Sequence, residues 1–166
     1  MRLTVRAFRA HEWQTYRDLR LGALADAPDA FARTLAEEQG HSEPEWSQML
    51  AASTGSPSQI SLVAEWSERP VGLAYGRLAT EDPEVAHLYS MWVAPSARRA
   101  GAGRALLGAV VAWARSAKAR SLVLQVTEGN APAVALYQRA GFARTEELSA
   151  LRAGSALQVR TMRLAL

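Results

Sequence analysis

The 166-residue sequence contains no cysteine and one lysine, Lys118. The first absence excludes disulfides, thiolate metal sites and any cysteine nucleophile that could carry a group covalently. The three histidines, His11, His41 and His87, are too dispersed for a metal centre, so no metal is expected. Long apolar runs are also missing. Nothing approaches the roughly 20 residues needed to cross a bilayer, and no membrane association is expected. The first thirteen residues carry Arg2, Arg6, Arg9 and Glu12, which leaves no apolar core for a secretory signal; a cytoplasmic location is the expectation. No repeat, low-complexity tract or linker breaks the chain, and its length suits one domain over residues 1–166.

The charge that is present is unevenly placed. The formal net charge is only +3, yet Ser96 to Arg120 holds six basic residues (Arg98, Arg99, Arg104, Arg115, Lys118, Arg120) and no acid. An anionic ligand would find this segment favourable, and a solvated helix face written in arginine is the plainer alternative. Nucleic acid is not expected, because no recognition helix, zinc-finger spacing or aromatic RNA-binding motif accompanies the charge. Asp26 to Glu45 is the opposite case, with six acids and Arg33 as the one Lys/Arg residue.

The stretch from His87 to Leu107 organises the rest. Leu88-Tyr89-Ser90-Met91-Trp92-Val93, closed by Ala94-Pro95, predicts a buried strand. Alternation along it would put His87, Tyr89 and Met91 on one face. Arg98-Arg99-Ala100-Gly101-Ala102-Gly103-Arg104 follows, and then Leu106, Leu107, Val110, Val111, Trp113 and Ala114 at helical spacing. A glycine-opened helix start exposes unpaired N–H groups and the positive end of the helix dipole, a geometry that suits phosphate. The loop lacks the Gly-Lys-Ser/Thr of a Walker loop and the third glycine of a dinucleotide fingerprint.

On either side, the patterns predict strand 2–8, helix 12–25, helix 30–39 stopping at Gly40, a short helix at 45–52, and strands 60–66 and 71–78 joined by Ser67-Glu68-Arg69-Pro70. Beyond the central helix come an apolar strand at 121–126, covered on both faces and reached by a parallel crossover, then a helix at 131–139. An antiparallel pair at 143–151 and 156–164, turning around Ala153-Gly154, closes the chain.

Arg-x-x-Gly-x-Gly at Arg98 to Gly103, together with Asn130, Ala133, Leu136, Tyr137, Gly141 and Phe142 at Asn-x-x-Ala-x-x-Leu-Tyr-x-x-x-Gly-Phe spacing, resembles the GCN5-related N-acetyltransferase (GNAT) superfamily. In this sequence Arg99 stands where that loop usually has glycine, and Ala100 where it has a basic residue. The resemblance implies an α/β fold (α+β) built on a single mixed, mostly antiparallel sheet flanked by helices and splayed where acetyl-CoA enters. It implies acetyl-CoA as donor, bound by Met91, Trp92, Val93, Arg98, Arg99, Ala100, Gly101, Ala102, Gly103, Arg104, Asn130, Ala133 and Tyr137. Tyr137 would act as general acid and His87 as general base.

The implied activity is acetyl transfer to a primary amine of a small molecule, such as a polyamine, an amino sugar or an antibiotic. With no cysteine to carry the acetyl group, the amine would attack directly within a ternary complex. Acetylation of a protein N-terminus or lysine is the alternative, and a non-catalytic acyl-CoA sensor a third reading. Glu37, Glu38, Glu43 and Glu45 are candidates to attract a cationic amine, and a homodimer is an expectation from the family.

Overall fold

A computed structural model describes residues 2–166. Seven strands form one sheet in the order β1-β2-β3-β4-β5-β7-β6. They are β1 (Leu3–Ala7), β2 (Gln59–Trp66), β3 (Arg69–Leu78), β4 (Val85–Val93), β5 (Ser121–Thr127), β6 (Ala143–Ala150) and β7 (Gln158–Ala165). The helices are α1 (Trp13–Asp26), α2 (Leu35–Gln39), α3 (Glu43–Ser53), α4 (Ala102–Ser116) and α5 (Ala131–Arg139). Only the β4–β5 pair is parallel, as the crossover through α4 requires; every other neighbouring pair is antiparallel. The mixed, mostly antiparallel sheet expected from the sequence is therefore present.

Each face of the sheet has its own core, because alternate residues of a strand point to opposite sides. Leu62, Ala64, Ala74, Ala86, Leu88, Leu122 and Leu124 meet Leu106, Leu107, Val110 and Ala114 of α4 and Tyr137 of α5. On the other face Val63 and Leu73 meet Leu19, Ala23 and Leu24 of α1, with Phe8, Phe31 and Leu50. The second core lies over the β1–β3 side only. Gln125 is accordingly the single exposed residue of β5, where the sequence pattern predicts cover on both faces.

Two local expectations need correction. The helix predicted over 30–39 is a 3-10 turn at Pro28–Ala30 and then only Leu35–Gln39. Phe31 lies between them in extended backbone, because burying its ring in the second core takes precedence over helix continuity, and Thr34 starts the helix afresh by accepting from the Glu37 N–H. The β2–β3 connection is a two-residue turn, Ser67-Glu68, with φ of 48° and 67°; left-handed backbone at both positions matches the twist of a hairpin. Arg69 and Pro70 belong to the strand. At the far side, Arg152 of the β6–β7 connection donates to the carbonyls of Pro28 (2.8 Å), Phe31 (2.8 Å) and Ala32 (3.2 Å), tying that connection to the α1–α2 segment.

Candidate active site

Strand β4 is paired on both edges at its start and on one edge at its end. Val85, Ala86 and His87 pair with Ser121, Leu122 and Val123 of β5, and there the pairing stops. Pairing with β3 continues to Val93. The β5-facing N–H and C=O groups of the second half of β4 thus have no sheet partner, although they sit beside a hydrophobic core. Backbone groups in such a place call for a ligand or water. Opposite β3 the register also slips: Tyr75 faces Tyr89 and Leu73 faces Trp92, so Ser90 and Met91 together oppose Ala74. Ser90 takes φ 59° there, a β-bulge that turns the strand. The bulge overturns the simple alternation. Met91 packs on the α4 core with Val93, whereas Trp92 packs on the α1 core.

The loop after β4 forms a cup of backbone donors. Arg99 and Gly101 both have positive φ, 63° and 89°, and the first helical hydrogen bond of α4 is Ala105 N–H to the Gly101 carbonyl at 2.9 Å. The N–H groups of Ala102, Gly103 and Arg104 precede that ladder, at the positive end of a 15-residue helix. Nothing lies within 4 Å of where a Gly101 Cβ would stand, so the cup is open. At Gly103 a Cβ would be 3.5 Å from Leu136 and 3.9 Å from Val93, which marks the convergence of the α4 start, α5 and the β4 end. Ala100 and Arg104 are exposed on the cup, and Ala102 is buried beneath it. These features fit a diphosphate.

Helix α1 braces the open half of β4. Asp26, the last residue of α1, accepts from Trp92 Nε1 at 2.9 Å and from Arg98, and Arg98 also donates Nε–H to the Val93 carbonyl at 3.0 Å. Those bonds, the one from Trp92 foremost, hold the Asp26 carboxyl below the usual aspartate range. The Arg98 guanidinium is consequently turned to protein, while Arg99 and Arg104 have no ion-pair partner among the described residues. One turn and a half earlier on α1, Arg20 donates to Ser90 Oγ at 2.7 Å and to Glu38 Oε1 at 2.7 Å, over the face of Phe31. Arg20 and Glu38 are 9% and 3% exposed. Asp26, Arg20 and Ser90 were not among the residues singled out from the sequence. Asp26 did carry a signal, since an acid at the negative end of a helix dipole is unfavourable unless something neutralises it.

Three of the four candidate acids of the helical arm have basic partners. Glu38 is in that buried pair, Glu37 faces Arg33 at 3.6 Å on the surface, and Glu45 bonds His41 at 3.0 Å and closes a capping box with Ser42. Glu43 is exposed in the first turn of α3.

Tyr137 is 8% exposed and packs edge-on against Phe142 at 5.8 Å. Its hydroxyl bonds to none of the described residues, yet it is not sealed off. Burial alone raises its pKa to about 12, so the phenol remains a proton donor across the working range. Asn130 caps α5, its side chain accepting from the Ala133 N–H at 3.4 Å; Ala133 packs on the core. A cavity of about 390 Å³ opens between the end of α1 and the β5–α5 turn, lined by Asp26, Pro28, Thr127, Gly129 and Asn130. His87 stacks on Tyr89 at 5.6 Å, and Tyr89 on Tyr75 at 6.0 Å, on the face away from α4. Partial burial first, and then Arg163 and Arg77, push the His87 pKa down against the pull of Glu81, leaving a neutral imidazole at pH 7.

The profile of the Acetyltransferase (GNAT) family matches residues 13–142. The chain belongs to this family. It is 30% identical over 151 residues to aminoglycoside N(6')-acetyltransferase type 1 of Stenotrophomonas maltophilia, covering 87% of this chain and 89% of that protein. It is 32% identical to the mycothiol acetyltransferase of Salinispora tropica, but spans only 45% of that protein's length. A Salmonella typhimurium protein solved with its cofactor acetyl-CoA superposes with a TM-score of 0.82 at 19% identity, covering 100% of this chain and 95% of the other; the likeness is one of fold. The GNAT chain is thus an N-acetyltransferase in reaction class, and the open half of β4 and the cup beside it are where its fold leaves backbone donors free.

Proposed function

We propose that this GNAT protein transfers the acetyl group of acetyl-CoA to a primary amine of a small molecule by direct attack in a ternary complex. The observation that carries the reading is the coincidence of an unpaired strand edge with an adjoining cup of N–H donors. The cup of Arg99 to Arg104 would hold the diphosphate, with Arg99 and Arg104 adding charge, while Arg98 sets the cup's shape through Asp26. The free groups of Met91, Trp92 and Val93 would hold the pantetheine arm, and an N–H among them would donate to the thioester oxygen as it gains charge. Asn130 and Ala133 would line the same channel at the start of α5. Acetyl-CoA supplies an activated acyl group and a thiol leaving group.

Two proton movements remain for the protein. His87, neutral at pH 7, takes the proton released by the amine through intervening water. Tyr137 donates to the departing sulfur. A phenol at about 12 facing a thiol near 8.5 is roughly 5 kcal/mol away from outright transfer, so Tyr137 stabilises the leaving group by donating a hydrogen bond and yields its proton late. Calorimetric titration with acetyl-CoA, and in parallel with ATP and NAD, tests the reading. Selective micromolar binding of acetyl-CoA is the expected result. Binding of none, or of all three alike, would overturn it.

A further inference from the structure

On the α4 side the open edge of β4 is flanked by the cup and the start of α5, assigned above to acetyl-CoA, and by the core of Leu106, Leu107, Val110, Tyr137 and Phe142. On the other side the helices cover β1 to β3 and leave a helix-free patch over β4, β5 and β7, floored by Val123 (6% exposed) and Thr161 (5%). Arg77, Tyr89, Gln125 and Arg163 are exposed there, Tyr89 by 45%, and His87 is half-buried among them.

Strand register orders this patch. Arg77 pairs with His87, His87 with Val123 and Val123 with Arg163, so the four residues form one row across four strands. Directly paired residues share a face. With strands about 4.8 Å apart, His87 has Arg77 as its immediate neighbour and Arg163 about 10 Å away on the opposite side. Neither guanidinium takes part in an ion pair among the described residues. Arg77 meets the Thr80 hydroxyl at 3.4 Å and Arg163 the Ser121 hydroxyl at 3.0 Å. Of the carboxylates, only Glu81, from the β3–β4 turn, acts on His87. The helical-arm acids that could have attracted a cation are largely taken up: Glu38 is neutralised under α1, and Glu37 and Glu45 have basic partners of their own.

We infer that this helix-free patch receives the acceptor, and that the acceptor is an amine carrying its own anionic group rather than a polycation. The inference rests on the acetyltransferase reading above and narrows it. An amine held near His87 with a carboxylate or phosphate a few bonds away places that anion within reach of Arg77 or Arg163, whose planar forks suit such groups. A polyamine at the same place brings several positive charges against two arginines and one carboxylate, a repulsive balance.

The test is steady-state thiol release from acetyl-CoA with matched acceptors: leucine against leucinamide, O-phosphoethanolamine against ethanolamine, and spermidine and kanamycin as polycations. The expected result is a kcat/KM at least tenfold higher for the anionic member of one pair, and which pair responds tells carboxylate from phosphate. The double variant Arg77→Gln/Arg163→Gln, both exposed positions, should bring that ratio to within threefold of unity with acetyl-CoA affinity unchanged. Preference for spermidine or kanamycin, or an anion preference that survives the double variant, overturns this inference alone. Acetyl-CoA binding with no turnover of any of the six amines overturns the small-molecule acceptor reading together with it.

Discussion

The two ends of β4 are built from similar residues and serve opposite purposes. Val85 to His87 is hydrogen-bonded on both edges, with Ala86 fully buried against Leu122 in the next strand. Tyr89 to Val93 contains the bulge, has one paired edge, and is braced from α1 by Arg20 at Ser90 and Asp26 at Trp92. A strand edge left open in a core is unfavourable unless something prevents its neighbour from closing on it. The bracing replaces the missing pairing: side chains of a helix hold in place what main-chain bonds hold elsewhere.

Loss of a core contact at the paired end should give the largest effect on stability and little on the site. Leu122→Ala removes a side chain that is 0% exposed and should cost about 2–5 kcal/mol, read as a lowered Tm. Its acetyl-CoA Kd, measured well below the melting transition, should stay within about threefold; a tenfold change would mean that the ends are not separable. Damage to the open end should do the reverse. Gly101→Val forces a β-branched residue to φ 89° and fills the cup, so acetyl-CoA binding should weaken by about a hundredfold or more, at roughly 2 kcal/mol of backbone strain.

Tyr137→Phe makes a finer distinction within the open end. The hydroxyl bonds to none of the described residues, so Tm and acetyl-CoA Kd should hold while kcat falls about a hundredfold. Unchanged kcat would remove the acid role. The smallest effect is expected where the two ends meet, at His87. It works as a base only when neutral, and its pKa lies below the ordinary 6.5; kcat/KM should therefore rise with pH through a midpoint below that value. In His87→Asn the acidic limb should vanish, with a loss of about tenfold at pH 7.5. A limb that persists in the variant belongs to another group.

The readable parts of the molecule were those whose cause is local. The Val-x-Pro stop, the glycines opening α4 and the Asn130 cap each act within a few residues, and their elements lie where the sequence pattern put them. Ser90 gave no sign of a bulge, because inserting one residue into a ladder changes partners and not residue types. Arg98 looked like a free cation for the same reason. Its carboxylate is 72 positions away, and periodicity along the chain is blind to such a pair. The neighbours of Phe31 favour helix; the core that takes its ring is assembled from Leu19, Leu24 and Leu73, each distant in sequence or on another element.

Arg152 gives the far side of the fold a further property. Three carbonyls of the α1–α2 segment converge on its one guanidinium, so two connections far apart in the chain form a single arch. Either connection exchanged alone for that of a relative would leave the guanidinium or the carbonyls to water and loosen the arch, most of all at the part-buried Phe31 carbonyl. The two connections can therefore be transplanted only as a matched pair of segments, residues 27–34 together with 151–157.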